Sequence, residues 1–333
     1  PWSLVGSEMC IRDRLYFDND GDIEHGYKIV NSDGNYFDLD FIEEQILKFV
    51  NRKYAVAVSN CTNALTLILM SKNYPKNSLI ALPSYTYRGT ASAIELAGHI
   101  PVAIDIKNNY HINQIDLQKK KYFKDIKAMI AVSLFGNPLD KNKYWSFCHE
   151  NQIDLIEDAA QSFSAWNSGT VGMASALSFS PTKPFPVLGH GGMILTDDQD
   201  IYLSCKENRK KYNFFMDSKD ARTLSLLLGR YDEYNERRHN IADFYTRNID
   251  SEHTMVAPIE DFGGNSFSKF IVHSKKNLLN LKDVQILKHY PYLIEETPNA
   301  ERLRKLTYSL PIDPYLEDEE LSKIVDAINH MPT

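Results

Sequence analysis

An alternation of short apolar strands with helical stretches limits the fold of this chain more than any other feature. Strand candidates fall at Ala55–Val58, Leu79–Leu82, Pro101–Asp105, Ala128–Phe135, Asp154–Ile156, Leu177–Phe179 and Gly192–Leu195. A helix is expected from Ser59-Asn60-Cys61-Thr62-Asn63 through Leu65, Leu69 and Met70. Another runs from Thr90 to Ala97 and stops at Gly98, which tolerates the left-handed conformation of a helix end. Before the first strand, Phe41, Gln45, Ile46, Phe49 and Val50 recur at helical spacing, with Asp40 as the expected cap. Strands alternating with helices argue for an α/β domain with a mostly parallel sheet. Strands this apolar need cover on both faces. Farther along, one long helix is predicted over Ala221–Asn248. From Ile249 a smaller α+β unit follows, with a strand at Lys269–His273 and a last helix at Asp318–Ile328. The charge run Lys206–Lys211 reads as a solvated helix face.

A length of 333 residues suits two or three domains. Hydrophobic residues at 43% and charged residues at 24% exclude a disordered or collagen-like chain. Lys plus Arg is 37 and Asp plus Glu is 44, a net charge of −7. That balance makes general binding to nucleic acid or anionic membrane unfavourable. No apolar run approaches the ~18 residues of a membrane helix. Cys10, Cys61, Cys148 and Cys205 are too few and too scattered for a disulfide framework, and no metal site is expected. The expected compartment is reducing cytoplasm. Residues 1–14 lack an apolar core and a cleavage site, so no signal peptide is read there. Met9-Cys10-Ile11-Arg12-Asp13 reads as translated sequencing-adapter DNA, and residues 1–14 are set aside as non-native.

Ligands of open α/β sheets sit at the carboxyl ends of strands, so the residues after each strand matter most. Ser59-Asn60-Cys61-Thr62-Asn63 opens a helix, whose free amides suit a phosphate and whose side chains equally suit ordinary capping. Glu157-Asp158-Ala159-Ala160-Gln161 places two acids at a strand end, where a buried carboxylate needs a cationic partner. Ser178-Phe179-Ser180-Pro181-Thr182-Lys183 brings a lysine after the next strand, beside Gly189-His190-Gly191-Gly192. Lys183 is either a salt-bridge partner of Asp158 or a Schiff-base lysine for a carbonyl cofactor.

These residues resemble the DegT/DnrJ/EryC1/StrS sugar aminotransferases, pyridoxal-phosphate (PLP) enzymes of the aspartate-aminotransferase fold. The resemblance rests on Ile156–Phe163 (IEDAAQSF), Ser178–Lys183 (SFSPTK) and Gly189–Asp198 (GHGGMILTDD). Tyr54–Leu65, Leu82–Ile106, Asp232–Arg238, His289–Pro291 and Asn299–Leu316 follow in family order. The implied fold class is α/β, PLP-dependent transferase fold type I. It implies a large, mostly parallel-sheet PLP-binding domain with a linking helix, residues 15–248, and a small C-terminal α+β domain, residues 249–333.

The resemblance also implies roles. Lys183 would join PLP through a Schiff base and shuttle a proton. Asp158 would pair with the pyridine nitrogen, Gln161 would bond the ring hydroxyl, and Tyr87 would stack on the ring. Cys61, Thr62, Asn63 and Ser178 would surround the phosphate. Asn213 would reach the phosphate of a neighbouring subunit, which implies a homodimer with shared sites. His289 and Tyr290 would line the nucleotide-sugar site. Ordinary structural readings stay open for most of these: core packing for Tyr87, a backbone partner for Ser178, a helix cap for Gln161, a packed edge for His289 and Tyr290.

The chain departs from the family pattern in places. Cys61 stands where Gly is usual, which matters if that position needs positive φ. Asn213-Phe214-Phe215-Met216 lacks an expected arginine, and the segments before Asn213 and around His289–Thr297 look short. The implied reaction moves an amino group from glutamate to a nucleotide-linked keto sugar, best a dTDP-4-keto-6-deoxyhexose, for surface polysaccharide. Two rivals are other PLP chemistry on a sugar or cyclitol, and a non-catalytic relative that binds a nucleotide sugar.

Overall fold

Seven strands form one sheet: β1 (Tyr54–Val58), β2 (Leu79–Pro83), β3 (Ile100–Ile104), β4 (Ile126–Val132), β5 (Asp154–Asp158), β6 (Ala174–Ser178) and β7 (Gly192–Thr196). The computed structural model that shows them describes residues 39–331, apart from residues 260, 282 and 283. The reading of residues 1–14 lies outside the described residues. Spatial order is β1-β7-β6-β5-β4-β2-β3. Strands β3, β2, β4, β5 and β6 pair in parallel, and β7 runs antiparallel to both its neighbours. The fold is the mostly parallel α/β arrangement of PLP fold type I.

Side chains alternate across the sheet, so β1 serves two cores. Val56 and Val58 pack with Leu65, Ile68 and Leu69 of α2 (Cys61–Ser71). Ala55 and Ala57 pack with Ile42 and Ile46 of α1 (Leu39–Leu47) and Leu224 of a helix described below. Helices α3 (Arg88–Leu96), α4 (Gln114–Gln118) and α5 (Lys141–Glu150) follow β2, β3 and β4. Gly98 takes φ +84°, the helix stop expected of it.

Helix α6 (Gln199–Tyr212) follows β7 and corrects the reading of Lys206–Lys211. Arg209 within that run is buried, donating to Glu43 Oε1 at 2.6 Å and to Ala57 O at 2.9 Å. Glu43 on α1 also accepts from the Ala57 amide at 2.8 Å. Asp40 lies in the first turn of α1 rather than before it.

The expected long helix is two helices, α7 (Ser218–Leu228) and α8 (Tyr231–Asn248). Their apolar faces differ in target. Ala221, Leu224, Leu227 and Leu228 join the core of the main sheet, whereas Ile241, Ala242 and Tyr245 join a second core. A break at Gly229–Arg230 lets the chain serve both. The second core belongs to a three-stranded antiparallel sheet, β8 (Thr254–Val256), β9 (Phe270–Ser274) and β10 (Thr307–Leu310), in the order β10-β9-β8. Helix α9 (Pro298–Leu306) leads into β10, and α10 (Asp318–Asn329) covers the sheet with Leu321, Ile324, Val325 and Ile328.

Candidate active site

The carboxyl ends of β1, β5 and β6 bring Asn60, Asp158 and Ser178 together with the N-terminus of α2. Asn60 caps α2, its side chain accepting from the Asn63 amide at 2.8 Å. Asn63 Nδ2 donates to Ser59 Oγ at 2.8 Å. With the Asn63 amide taken, the first amides of the helix, at Cys61 and Thr62, are the ones with no acceptor inside it. Cys61 is helical and is not among the positive-φ residues, so a side chain at this position costs no backbone strain. Instead the glycine requirement falls on Gly192, opposite Ser178 in the β6–β7 register. A Cβ there would lie 2.4 Å from the Asn60 carbonyl carbon.

Asp158 and Glu157 are neighbours on β5 and point to opposite faces. Glu157 is enclosed: Oε1 accepts from Ser133 Oγ at 3.2 Å, and Oε2 from Val171 N at 3.1 Å and Ser175 Oγ at 2.8 Å. Asp158 Oδ2 accepts from Thr90 Oγ1 at 2.8 Å, and Oδ1 from the Ala160 amide at 3.1 Å. The Cys61 thiol lies 3.8 Å from Oδ1 as a weak third donor. Burial raises the proton affinity of Asp158, while Thr90, Ala160 and the Lys183 charge oppose that shift. Burial and Asp158 together push the Cys61 thiol well up.

Lys183 sits in a turn after β6, its amide donating to Ser180 O at 2.9 Å. Burial lowers the proton affinity of its amine, and Asp158 and Cys61 counter this. Lys183 and Asp158 feel each other's charge, yet none of the ion pairs among the described residues joins them. Ser178 Oγ reaches Ser180 Oγ at 3.3 Å.

An aromatic side of the site comes from elsewhere in the chain. Gln161 Oε1 accepts from the Phe135 amide at 2.9 Å, and Nε2 donates to the Tyr290 hydroxyl at 2.6 Å. Tyr290 is buried, with its ring 6.4 Å from those of Phe135 and Tyr87. Tyr87 is 55% exposed, which removes the reading as a core aromatic. A Cβ on Gly89 would lie 2.7 Å from Thr62 Oγ1 and 2.8 Å from the Tyr87 ring, so Thr62 and Tyr87 border one space. The buried Nε2 of His289 has no hydrogen-bond partner among the described residues. Burial, then Lys269 and Lys183, push that imidazole down to about 3.

Asn213 is exposed in the left-handed conformation that ends α6, and the next carbonyl, Phe214 O, accepts from Ser59 N at 3.0 Å. It therefore stands beside the helix-opening loop, turned outward. Sequence reasoning missed Thr90, Phe135, Lys269 and Arg238. Thr90 had a signal, in the first turn of the helix that follows Tyr87. Arg238 closes the family-like stretch Asp232–Arg238 without a role of its own being read there, and Lys269 had no signal, because its partner Thr182 lies far away in sequence.

A carbonyl cofactor with a phosphate and a basic ring nitrogen fits this donor set: one buried amine, one buried carboxylate held apart from it, and unbonded helix amides near a serine hydroxyl. No helix among the described residues is long and apolar enough to cross a membrane, and no group of His, Cys, Asp or Glu among them could hold a metal.

Residues 30–329 match the DegT/DnrJ/EryC1/StrS aminotransferase family. The dTDP-3-amino-3,6-dideoxy-alpha-D-galactopyranose transaminase of Aneurinibacillus thermoaerophilus is 28% identical over 340 residues, covering 92% of each chain. The UDP-2-acetamido-2-deoxy-3-oxo-D-glucuronate aminotransferase of Pseudomonas aeruginosa is 26% identical over 358 residues, covering 98% of each. A solved structure of a DegT DnrJ EryC1 StrS aminotransferase from Brucella abortus superposes with a TM-score of 0.80 at 23% identity, covering 87% of this chain and 89% of that one.

Proposed function

The chain belongs to the DegT/DnrJ/EryC1/StrS aminotransferase family, and from that premise we propose that it moves the amino group of glutamate onto a dTDP-4-keto-6-deoxyhexose. It is a sugar aminotransferase, and its cofactor is PLP. The finer reading concerns the sugar, the donor and the residues. The observation that carries the residue roles is the unclosed pair of Asp158 and Lys183, opposite charges sharing a buried corner without an ion pair.

PLP, when bound, supplies an aldehyde that condenses with amines and a ring that takes up the charge left by a departing Cα proton. Lys183 Nζ would hold that aldehyde and would take and return the proton. Lowered proton affinity suits both tasks, since each needs the neutral amine. Asp158 keeps a ring nitrogen protonated; its bonds from Thr90 and Ala160 fix the carboxylate's direction. The Cys61 and Thr62 amides and Ser178 Oγ hold the phosphate. Tyr87 would stack on the ring, Gln161 would bond the ring hydroxyl, and His289 and Tyr290 would border the sugar. The large PLP-binding unit runs to Asn248 and the smaller unit begins at Ile249.

The relatives' names support a nucleotide sugar and include both dTDP and UDP compounds. The outward-facing Asn213 beside Ser59 supports a homodimer in which each chain completes the other's phosphate site. Free Cys61, Cys148 and Cys205 agree with a reducing cytoplasm. Lys183 speaks against the lysine-free sugar dehydratases, and the helical backbone at Cys61 removes a motive for the non-catalytic reading.

The test incubates the PLP-loaded protein with glutamate and a panel of dTDP- and UDP-linked 4-keto and 3-keto sugars, with amino sugars detected by mass spectrometry. A dTDP-4-amino-6-deoxyhexose formed fastest supports the proposal. Preference for a 3-keto or UDP sugar overturns the substrate, and product only with another amino donor overturns glutamate.

A further inference from the structure

Lys183 is held on both sides by cations. The carbonyl before it, Thr182 O, accepts from Lys269 Nζ at 3.2 Å. The carbonyl after it, Pro184 O, accepts from Arg238 Nη2. Lys269 stands immediately before β9, and Arg238 lies on α8 with 5% exposure. The Arg238 guanidinium also lies 5.5 Å from the centre of the Phe185 ring. The far end of the chain thus grips the turn that carries Lys183.

We propose that Lys269 is a positioning residue for Lys183: with Arg238 it fixes the two peptide carbonyls that flank Lys183, and it sets a second amine beside the reacting one. This rests on the reading of Lys183 as the lysine that joins PLP.

Two neighbouring amines cannot both hold a proton without mutual repulsion. Lys183 faces Asp158 on β5 and Cys61 on α2, and both favour its proton. Lys269 faces Lys183 and Arg238, which disfavour its proton, and Asp313 after β10, which favours it. His289, ahead of α9, faces both lysines. Lys269 thus carries its proton against burial and against the charge of Lys183. Burial, then Lys183, bring Lys269 down to about 8. Whenever Lys183 is neutral, Lys269 regains proton affinity. A neutral amine still donates to Thr182 O, so the grip on the turn persists in either state.

The experiment labels the cofactor-free protein with acetic anhydride across neutral to alkaline pH and reads Lys183 and Lys269 by mass spectrometry. In Lys183→Met, Lys269 should titrate higher, so that its labelling near pH 8 falls about five- to tenfold. An unchanged Lys269 profile in that variant overturns the proposal. A second arm traps PLP on the protein with borohydride. Lys269→Met should slow trapping at Lys183 about fivefold or more, and Lys269→Arg should restore it to about half the wild-type rate or better. Trapping in Lys269→Met at the wild-type rate also overturns the proposal. If Lys269→Met does not fold, the labelling of Lys269 in Lys183→Met decides alone. A wild-type protein that traps no PLP refutes the role of Lys183 in PLP binding, whereas the labelling arm reads the amine pair without cofactor.

Discussion

Glu43 with Arg209 and Asp158 with Lys183 are both buried pairs of opposite charge, but only the first closes. Arg209 of α6 meets Glu43 of α1 at 2.6 Å beside β1, and the Ala57 amide and carbonyl complete the contact. Asp158 is held by Thr90, Ala160 and the Cys61 thiol, and Lys183 stands within reach of its field without touching it. Burial raises the proton affinity of Glu43 as it does that of Asp158. The Arg209 contact answers that cost within the protein. At Asp158 the cost is left for a bound cation to answer. On the proposed reading, the difference separates a pair that holds the fold together from one kept open for chemistry.

Breaking the closed pair should have the largest effect on stability. Glu43→Gln leaves Arg209 buried without its partner, and unfolding in urea should show a loss of about 3–5 kcal/mol. Activity per folded molecule should stay within about twofold, because neither side chain bonds a site residue. A large activity loss at unchanged stability would erase the distinction between the pairs.

Asp158→Asn should do the reverse. If Asp158 pairs with the ring nitrogen as proposed, the amination rate should fall about a hundredfold. The thermal midpoint of the cofactor-free protein should stay level or rise, since the substitution removes a desolvated carboxylate. A drop in midpoint like that of Glu43→Gln would mark Asp158 as a fold residue.

A smaller effect concerns pH. The imidazole of His289 is held far below its ordinary range, at about 3. The unfolded chain therefore binds a proton that the folded chain refuses. The contribution is complete above an ordinary histidine pKa of ~6.5 and is lost as pH falls toward about 3. Raised carboxyls such as Asp158 and Glu157 act in the opposite sense. Comparing His289→Gln with the wild type isolates the histidine: the variant's midpoint should fall less between neutral and mildly acidic pH. Parallel curves would place a charged His289 in the folded protein.

Cys61→Gly should have the smallest effect, a loss of about 0.5–1 kcal/mol from added chain freedom in α2. A gain in stability would mean that the Cys61 side chain is strained after all.

The open pair was legible in the sequence because its members sit at adjacent strand ends, where Asp158 and Lys183 follow short apolar runs. The closed pair was not. Arg209 lies inside a dense charge run, and only the three-dimensional approach of Glu43, 166 positions away, buries it. The same limit hid the roles of Lys269 and Arg238, whose partners Thr182 and Pro184 lie 87 and 54 positions away. Helices α7 and α8 read as one because Gly229 interrupts them weakly, and only the position of the second core makes the break necessary. Glu157 and Asp158 look alike in sequence, and strand alternation alone sends one into a closed polar pocket and the other into the site.

The central claim is most directly tested by visible absorption spectra of the purified protein with PLP, before and after glutamate, beside Lys183→Ala. The account predicts a band from lysine-bound PLP that glutamate bleaches, and no such band in the variant. No band in the wild-type protein, or the same band in Lys183→Ala, would contradict it.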